Sequence, residues 1–293
     1  MTSFRHLLNV KELGYGTTPI LLIHGFGCDQ TVWRRLLPVL EKDYRLILVD
    51  LAGFGGAAPE AYDKARHGTS SGHADDIVAL CDELGLENAL MLGHSIGGTI
   101  GMLASIQRPK AFRRLVMICS SARYLDDPPD YQGGYTHEQL DSLMLLMEQN
   151  YLDWAGTVSR VALGDAATET HQQNLQQRFL SVSPEVLRPL ARSIFLGDTR
   201  HHLPSVTVPS LIIQTARDAM VPLEAAQYLQ QHLPDGELVV LDAGGHYPQL
   251  TAPDILAQAL RIGSTCRKAD PYEFESFRFG PLVAVRSVWS GGY

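Results

Sequence analysis

Six short, mostly apolar runs are the feature that most constrains how this chain can fold. They span residues 20–23, 45–49, 89–92, 115–118, 211–214 and 238–241. Because such runs lack polar alternation, they are typical of parallel strands that helices cover on both faces of a sheet. Longer stretches with helical spacing lie between them, for example 74–84 and 98–107. This alternation predicts an α/β fold with a mostly parallel sheet and helices on both faces.

The alternation stops between residues 135 and 196, where the pattern is helical throughout. Apolar residues recur at helical spacing from Leu140 to Met147, and Ser183-Pro184-Glu185 is typical of a helix start. A helical insertion cannot extend the sheet. We therefore interpret residues 135–196 as a lid of about four helices over the carboxyl ends of the strands, where such folds place their sites. Extra core packing is the alternative interpretation.

Composition and charge narrow the class of protein. The chain carries 24 Lys and Arg against 32 Asp and Glu, a formal net charge of −8, so it lacks the basic surface that nucleic-acid binding requires. No run approaches the roughly 18 apolar residues of a membrane span, and the first 18 residues have no signal-peptide core. The four cysteines form no CxxC pair or zinc-ligand cluster. We expect reduced thiols, no membrane and a cytoplasmic location.

The segment Gly93-His94-Ser95-Ile96-Gly97 lies directly between a predicted strand and a predicted helix. It matches the G-x-S-x-G nucleophile elbow, a sharp turn that holds a serine in a strained backbone conformation and lifts its hydroxyl clear of the sheet. The Ile96 N–H then lies at a helix start, where unpaired donors and the helix dipole favour an anion. The pattern predicts Ser95 as the nucleophile and the Ile96 N–H as a donor to an oxyanion.

A serine nucleophile needs a base, and on this kind of sheet the acid and then the base follow it along the chain. His246, in the loop after the strand at 238–241, is the candidate base. Asp218, after the strand at 211–214, is the candidate acid that orients the imidazole. Asp242 competes with it, but lies so close in sequence to His246 that we interpret it as a turn residue. The other downstream histidines lie in helical or connecting segments and are interpreted as surface residues: His171, His201, His202 and His232.

The oxyanion needs a second donor. His24-Gly25-Phe26-Gly27 follows the first long strand, and we choose the Phe26 backbone N–H. His24 precedes the serine, so we interpret it as a structural residue that orders this loop. His94 is interpreted as structural too, because its side chain is expected to point away from the site.

Four segments resemble a known group of proteins. They are His24-Gly25-Phe26-Gly27-Cys28-Asp29-Gln30, Gly93-His94-Ser95-Ile96-Gly97-Gly98, Tyr124-Leu125-Asp126-Asp127-Pro128-Pro129 and Met147-Glu148-Gln149-Asn150-Tyr151. Together they resemble the α/β-hydrolases around the bacterial stress regulator RsbQ, to which the plant karrikin and strigolactone receptors are similar. The likeness runs from about residue 5 to about 262.

The resemblance implies an α/β-hydrolase core of residues 1–134 and 197–263, with residues 135–196 forming a four-helix lid over a hydrophobic pocket. It implies the triad Ser95, Asp218 and His246, the oxyanion donors Phe26 and Ile96, and no metal or organic cofactor. The implied pocket residues are Phe26, Tyr124, Trp154, Val158, Phe195 and Ala219. Val158 is smaller than the aromatic residue at the matching place in the plant receptors, so their ligand preference does not transfer directly.

Residues 264–293 extend beyond the resemblance. Tyr272-Glu273-Phe274-Glu275 alternates as a strand does, Gly280-Pro281 is typical of a turn, and residues 282–285 could pair back as a hairpin. A partner-binding arm and a poorly ordered end are the alternatives for this C-terminal extension.

Two functional hypotheses follow. The first is a serine hydrolase that cleaves a small apolar ester or butenolide-like lactone and also has a role in signalling. The second is a ligand-responsive signalling module that mainly binds a regulatory protein partner, with vestigial hydrolysis. A serine at the elbow argues against dehalogenases and epoxide hydrolases, which use aspartate there, whereas a C–C bond hydrolase with the same triad stays open.

Overall fold

A single twisted sheet organises the chain. The computed structural model describes residues 2–165, 167–265 and 282–285. Among them, eight strands form the sheet: Lys11–Leu13 (β1), Thr18–Ile23 (β2), Tyr44–Val49 (β3), Ala89–His94 (β4), Phe112–Ile118 (β5), Ser210–Arg217 (β6), Gly236–Gly244 (β7) and Leu282–Val285 (β8). All six strands predicted from apolar runs are present. The runs are apolar because the strands are covered on both faces; every residue of β4, for example, is buried.

The strand order is β1-β3-β2-β4-β5-β6-β7-β8. The first and last pairs, β1 with β3 and β8 with β7, are antiparallel. All other neighbours are parallel. Parallel strands carry their carboxyl ends to one edge of the sheet, so the loops after β2, β4, β6 and β7 meet there.

The α-helices of the described residues pack around this sheet or form the insertion. They are Phe4–Leu7 (α1), Leu37–Leu40 (α2), Lys64–His67 (α3), Ser70–Leu84 (α4), Ile96–Gln107 (α5), His137–Gln149 (α6), Tyr151–Leu163 (α7), Glu169–Ser181 (α8), Pro184–Leu196 (α9), Leu223–His232 (α10), Pro248–Thr251 (α11) and Pro253–Thr265 (α12). Short 3-10 turns occur at Gln30–Trp33, Pro59–Ala61, Pro109–Ala111 and Arg200–Ser205.

Four helices, α6 to α9, lie between β5 and β6 and interrupt the strand–helix alternation. Local sequence signals set their starts. Thr136 and Gln139 form a reciprocal capping box before α6. Ser183 accepts a hydrogen bond from the Glu185 N–H, and Pro184 occupies the first position of α9, as the sequence predicts. The predicted α/β architecture with an inserted helical lid is confirmed.

The two ends of this insertion meet at the core. The Thr199 N–H donates to the Ala122 carbonyl oxygen at 2.9 Å. Next to it, the Arg123 guanidinium donates to the Asp198 carboxylate at 2.8 Å. Both contacts join the segment after β5 to the segment after α9, so the insertion leaves and rejoins the core at one place.

The sheet edge at β7 is covered by a segment from the C-terminal extension. Residues 282–285 form β8, which pairs with β7 from Leu238↔Val285 to Leu241↔Leu282. The hairpin partner suggested from sequence, residues 272–275, lies outside the described residues.

Candidate active site

Ser95 lies at a sharp turn between β4 and α5. Its backbone has φ 54° and ψ −124°, a combination that a side-chain-bearing residue rarely adopts and that stores strain. The turn also requires glycine at position 97, two residues after Ser95. A Cβ at Gly97 would lie 2.4 Å from the Ile23 carbonyl oxygen, so α5 could not approach β2 as it does. The Ser95 N–H donates to the Ile118 carbonyl at 2.8 Å, which ties the turn to β5.

Three side chains from three different strand ends form one hydrogen-bonded chain. His246 Nε2 lies 2.9 Å from Ser95 Oγ, and His246 Nδ1 lies 2.8 Å from Asp218 Oδ2. All three side chains are buried. With Nδ1–H donating to the carboxylate, Nε2 is left to accept the serine proton. The structure thus brings together the three residues predicted for nucleophile, base and acid.

Asp218 is held as a carboxylate by its surroundings. Burial alone would raise its pKa, but the His246 imidazole and the N–H groups of Met220 and Val221, at 2.8 and 3.2 Å from Oδ1, lower it. Gln214 Nε2 donates to Oδ2 at 3.1 Å. The competing acid, Asp242, is exposed and faces Arg217 across 3.7 Å.

The two predicted oxyanion donors are backbone groups beside Ser95. Ile96 is the first residue of α5, where an N–H has no partner within its own helix. Phe26 lies in the oxyanion loop, residues 24–29, which follows β2. Its N–H donates to no residue that the structure describes. Both donors are therefore available to a developing negative charge.

His24 orders the oxyanion loop. The Leu51 N–H donates to its Nε2 at 3.0 Å, so Nδ1 carries the proton and donates to the Gly25 carbonyl at 2.8 Å. Burial lowers the pKa of this imidazole, which stays neutral. His24 therefore links the ends of β2 and β3 and does not face Ser95.

His94 supports His246 from behind. Its Nε2–H donates to the His246 carbonyl at 2.8 Å, and burial lowers its pKa to about 3. The lid holds the same segment from the other side, because the His246 N–H donates to the Ala162 carbonyl of α7 at 2.6 Å. His246 is thus fixed between β4 and a lid helix.

A small apolar cavity of about 20 Å³ opens onto Ser95 and His246. Four predicted pocket residues line it, namely Phe26, Tyr124, Val158 and Phe195. Trp154 and Ala219 do not. Trp154 is fully buried one layer behind, stacked on Tyr151 with ring centroids 5.4 Å apart. Ala219 is exposed, and its neighbour Met220 faces the cavity in its place.

Sequence reasoning missed five further lining residues: Ala162, Phe179, Ile194, Met220 and Tyr247. Phe179 follows Leu175 at helical spacing, which identifies the buried face of α8. Tyr247 follows His246 directly. These signals mark burial but do not show which buried side chains face the substrate.

Tyr124 makes a direct contact with Ser95. Its hydroxyl lies 3.3 Å from Ser95 Oγ. Burial raises the pKa of this phenol well above its ordinary value, so it stays protonated. Sequence reasoning placed Tyr124 in the pocket wall, and the structure adds this hydrogen bond.

Potential metal ligands within the described part of the chain gather at the same place. Cys119 Sγ, an Asp218 oxygen and a His246 nitrogen lie within 4.8 Å of one another. Burial raises the pKa of Cys119 well above its ordinary value, and metal binding needs a thiolate. His246 Nδ1 is already committed to Asp218. The arrangement fits a proton-transfer triad better than a cation site.

Comparison with known proteins decides the family. The model of the alpha/beta hydrolase fold matches residues 18–253. The chain belongs to the α/β-hydrolase family. A karrikin insensitive 2 receptor of Petunia hybrida is 38% identical over 253 residues, which cover 86% of this chain and 93% of the relative. Strigolactone esterase D14 of Arabidopsis thaliana is 37% identical over 255 residues, covering 87% and 95%.

Solved structures agree with this assignment. A hydrolase from Oleispira antarctica superimposes with a TM-score of 0.87 at 31% identity, covering 89% of this chain and 95% of that one. The predicted resemblance to the receptor-type α/β-hydrolases is confirmed, and so is the prediction of an ester-hydrolysing enzyme. Across the described residues, no helix has the length and apolar character needed to span a membrane.

Proposed function

We propose that this α/β-hydrolase cleaves a small, apolar, uncharged ester or butenolide-like lactone with Ser95, His246 and Asp218, and that it also acts as a ligand sensor. The observation that carries the proposal is the continuous chain from Ser95 Oγ through His246 to Asp218, with spacings of 2.9 and 2.8 Å. These are hydrogen-bond distances that allow proton transfer from the serine to the imidazole.

Acylation begins when Ser95 Oγ attacks the carbonyl carbon and its proton moves to His246 Nε2. Asp218 accepts the hydrogen bond from Nδ1–H and stabilises the imidazolium. The carbonyl oxygen becomes an oxyanion that accepts hydrogen bonds from the N–H groups of Phe26 and Ile96. His246 then returns the proton to the leaving oxygen, and the ester C–O bond breaks.

Deacylation repeats these steps with water. His246 takes a proton from a water molecule, the hydroxide adds to the acyl carbon, and Ser95 leaves with the proton that His246 returns. An ester releases an alcohol and then an acid. A lactone, whose leaving oxygen stays attached to its acyl chain, releases one ring-opened hydroxy acid or its tautomer.

The cavity supports a small apolar substrate. Its lining is apolar or aromatic apart from Ser95, His246 and the tyrosine hydroxyls, and it presents no charged group to balance an ionic substrate. In a cavity widened to admit the substrate, the carbonyl end faces Ser95, and the remainder contacts Phe26, Phe195 and Val158. We propose residues 1–134 and 197–263 as the hydrolase core and residues 135–196 as the lid that closes over the substrate.

The sensor role is supported by two observations. Relatives at 36–38% identity include karrikin insensitive 2 receptors and strigolactone esterases. The lid also carries three exposed large apolar side chains on α6 and α7: Leu145, Leu152 and Val161, which are 51%, 57% and 43% exposed. This is apolar surface that a protein partner would cover. A module that mainly signals, with vestigial hydrolysis, is the alternative function.

Ser95→Ala tests the hydrolase. We expect hydrolysis of p-nitrophenyl acetate to fall by at least about 1000-fold, because the nucleophile is lost while oxyanion binding remains. Ser105→Ala is the matched control, since Ser105 is a buried serine on α5, the helix that follows Ser95, and its hydroxyl donates to the Met102 carbonyl. Unchanged turnover in Ser95→Ala would overturn the proposal. Intact-mass spectrometry with a panel of esters and butenolides then identifies the acyl group.

The two functions separate in a hydrogen-exchange experiment. If sensing dominates, a methyl-substituted butenolide should change amide exchange in α6 to α9 equally in wild type and in Ser95→Ala. If hydrolysis dominates, the change should occur only in the wild type, where an acyl-enzyme forms.

A further inference from the structure

We propose that Arg178 on lid helix α8 is a positioning residue: it fixes the oxyanion loop, so that closure of the lid and alignment of the Phe26 N–H are one event. The inference rests on the proposed serine hydrolysis. It assigns a part in the reaction to Arg178, which lies outside the triad and touches no substrate.

Arg178 reaches from the lid to the oxyanion loop. Its guanidinium donates to Asp29 Oδ1 at 2.9 Å and also to the Thr31 hydroxyl. The two charged side chains are only 12% and 23% exposed, so solvent and salt screen their attraction weakly. Asp29 also accepts the Thr31 N–H at 2.7 Å and so begins the 3-10 turn at Gln30–Trp33. One carboxylate therefore joins the loop, the turn and the lid.

Phe179, the next residue on α8, contacts the same loop. Gly27 has φ 65°, and a Cβ there would lie 2.1 Å from the Phe179 ring. Any side chain at Gly27 would push the ring away. The loop backbone and this ring are in direct contact one residue beyond Phe26, whose N–H is the second oxyanion donor.

The Phe26 side chain extends this contact to three lid helices. Its ring centroid lies 6.3 Å from Trp154 of α7, 6.3 Å from Phe179 of α8 and 6.0 Å from Phe195 of α9. The residue that supplies the oxyanion N–H is thus enclosed by aromatic rings of the lid. A movement of the lid changes the surroundings of that residue directly.

The size of the cavity makes lid movement part of the cycle. A volume of about 20 Å³ holds roughly one water molecule, so an ester can enter only if lining side chains move, and five of the eleven lining residues belong to lid helices. When α8 returns, Arg178 restores the ion pair with Asp29 and Phe179 restores the contact with Gly27. The oxyanion loop is then aligned only after the substrate is enclosed, which excludes bulk water from the reacting carbonyl.

The test compares Arg178→Gln, Asp29→Asn and their double variant with wild type on p-nitrophenyl acetate. We expect each single change to lower kcat by about 10- to 100-fold through misplacement of the oxyanion donor, with KM changed less than about threefold. The double variant should lose little more than either single variant, because both remove one interaction. Arg178→Lys should recover part of the lost kcat. Arg192→Gln is the matched lid control, since Arg192 and Glu148 are exposed and 3.8 Å apart.

The inhibition constant Ki of a trifluoromethyl ketone reports on oxyanion binding. A merely structural role of Arg178 would not change this Ki selectively. Ser95 Oγ adds to the carbonyl carbon of the ketone, the serine proton moves to His246, and the ketone oxygen becomes an oxyanion. We expect Ki for this inhibitor to rise in Arg178→Gln by the same factor by which kcat/KM falls, while Ki for the non-fluorinated ketone stays constant.

Equal losses for both ketones, or unchanged kcat in Arg178→Gln, would overturn the inference. If Arg178→Gln does not fold, Asp29→Asn and Arg178→Lys give the same comparison. The outcome for the proposed function is separate: unchanged turnover in Ser95→Ala refutes serine hydrolysis itself, whereas an inactive Ser95→Ala beside a fully active Arg178→Gln refutes only the positioning role.

Discussion

The hydroxyl of Tyr124 and the Oγ of Ser95 lie 3.3 Å apart in the wall of the catalytic cavity. The phenol is buried and stays protonated, so it can donate to the serine oxygen as that oxygen loses its own proton. Tyr124→Phe removes one hydrogen bond and little else. We expect kcat for p-nitrophenyl acetate to fall about 2- to 10-fold, in line with one neutral hydrogen bond. Tyr15→Phe, at a side chain 89% exposed, is the control. An unchanged kcat would show that the contact plays no part in the reaction.

The assignment of the acid makes a second prediction. Asp218→Asn leaves the shape of the site but removes the acceptor for His246 Nδ1–H, so the imidazole can adopt the wrong tautomer. We expect kcat to fall by up to about 10⁴-fold, the loss known for this change in a serine-protease triad. Asp242→Asn should leave kcat unchanged, because that carboxylate faces Arg217 at the surface. The reverse order of effects would assign the acid to Asp242.

The elbow makes a prediction about stability. Gly97→Ala places a methyl group 2.4 Å from the Ile23 carbonyl oxygen and 2.6 Å from that of His24. Both are backbone atoms that cannot move aside cheaply. We expect the midpoint of thermal unfolding to fall by several degrees, with a loss of roughly 2 kcal/mol. Gly156→Ala on α7 is the control, because its nearest neighbour is the flexible Gln176 side chain at 3.2 Å. There, alanine should be neutral or stabilise the helix by about 0.5–1 kcal/mol.

Buried histidines make the free energy of unfolding depend on pH. Burial lowers the pKa of His73 in the fold to about 3, whereas an unfolded histidine titrates near about 6.5. Between these values the unfolded chain binds a proton that the folded chain does not. The free energy of unfolding therefore falls as the pH drops below about 6.5, by up to about 1.4 kcal/mol per pH unit for this group.

The prediction is checked by urea unfolding from pH 7 to pH 4. His73→Leu should reduce the loss of stability with falling pH, whatever its effect at pH 7. His24 and His94 also have lowered pKa values and keep their own contributions. A slope that is identical in His73→Leu and wild type would contradict the assignment.

The sheet is predicted well from the sequence because the burial of a strand restricts which residue types it can contain. Runs such as 89–92 are apolar on both faces, and only a strand between two helical layers buries both faces. The chain order of Ser95, Asp218 and His246, each directly after a strand, predicts that they meet at one edge. This reasoning missed β1. That strand has only three residues, lies at the sheet edge and is largely exposed, so it contains no continuous apolar run.

The cavity wall could not be predicted with the same success. Helical spacing shows which face of α7 or α8 is buried, but buried side chains contact either the substrate or a neighbouring helix. Trp154 and Phe179 both satisfy the pattern, and only the packing of α7 against α8 places Phe179 at the cavity and Trp154 behind it. The backbone conformation of the turn after β6 determines whether Ala219 or Met220 faces the cavity. The residue types alone do not specify that conformation.

The meeting of the two lid ends at Ala122–Thr199 and Arg123–Asp198 has a consequence for how such chains diversify. The proposed nucleophile and both proposed oxyanion donors precede this junction, whereas the proposed acid and base follow it. A recombination event that exchanged the insertion would leave both catalytic halves intact and replace most of the cavity wall in one step. The junction therefore marks the two ends of a segment whose exchange would change substrate specificity while the hydrolase core stays the same.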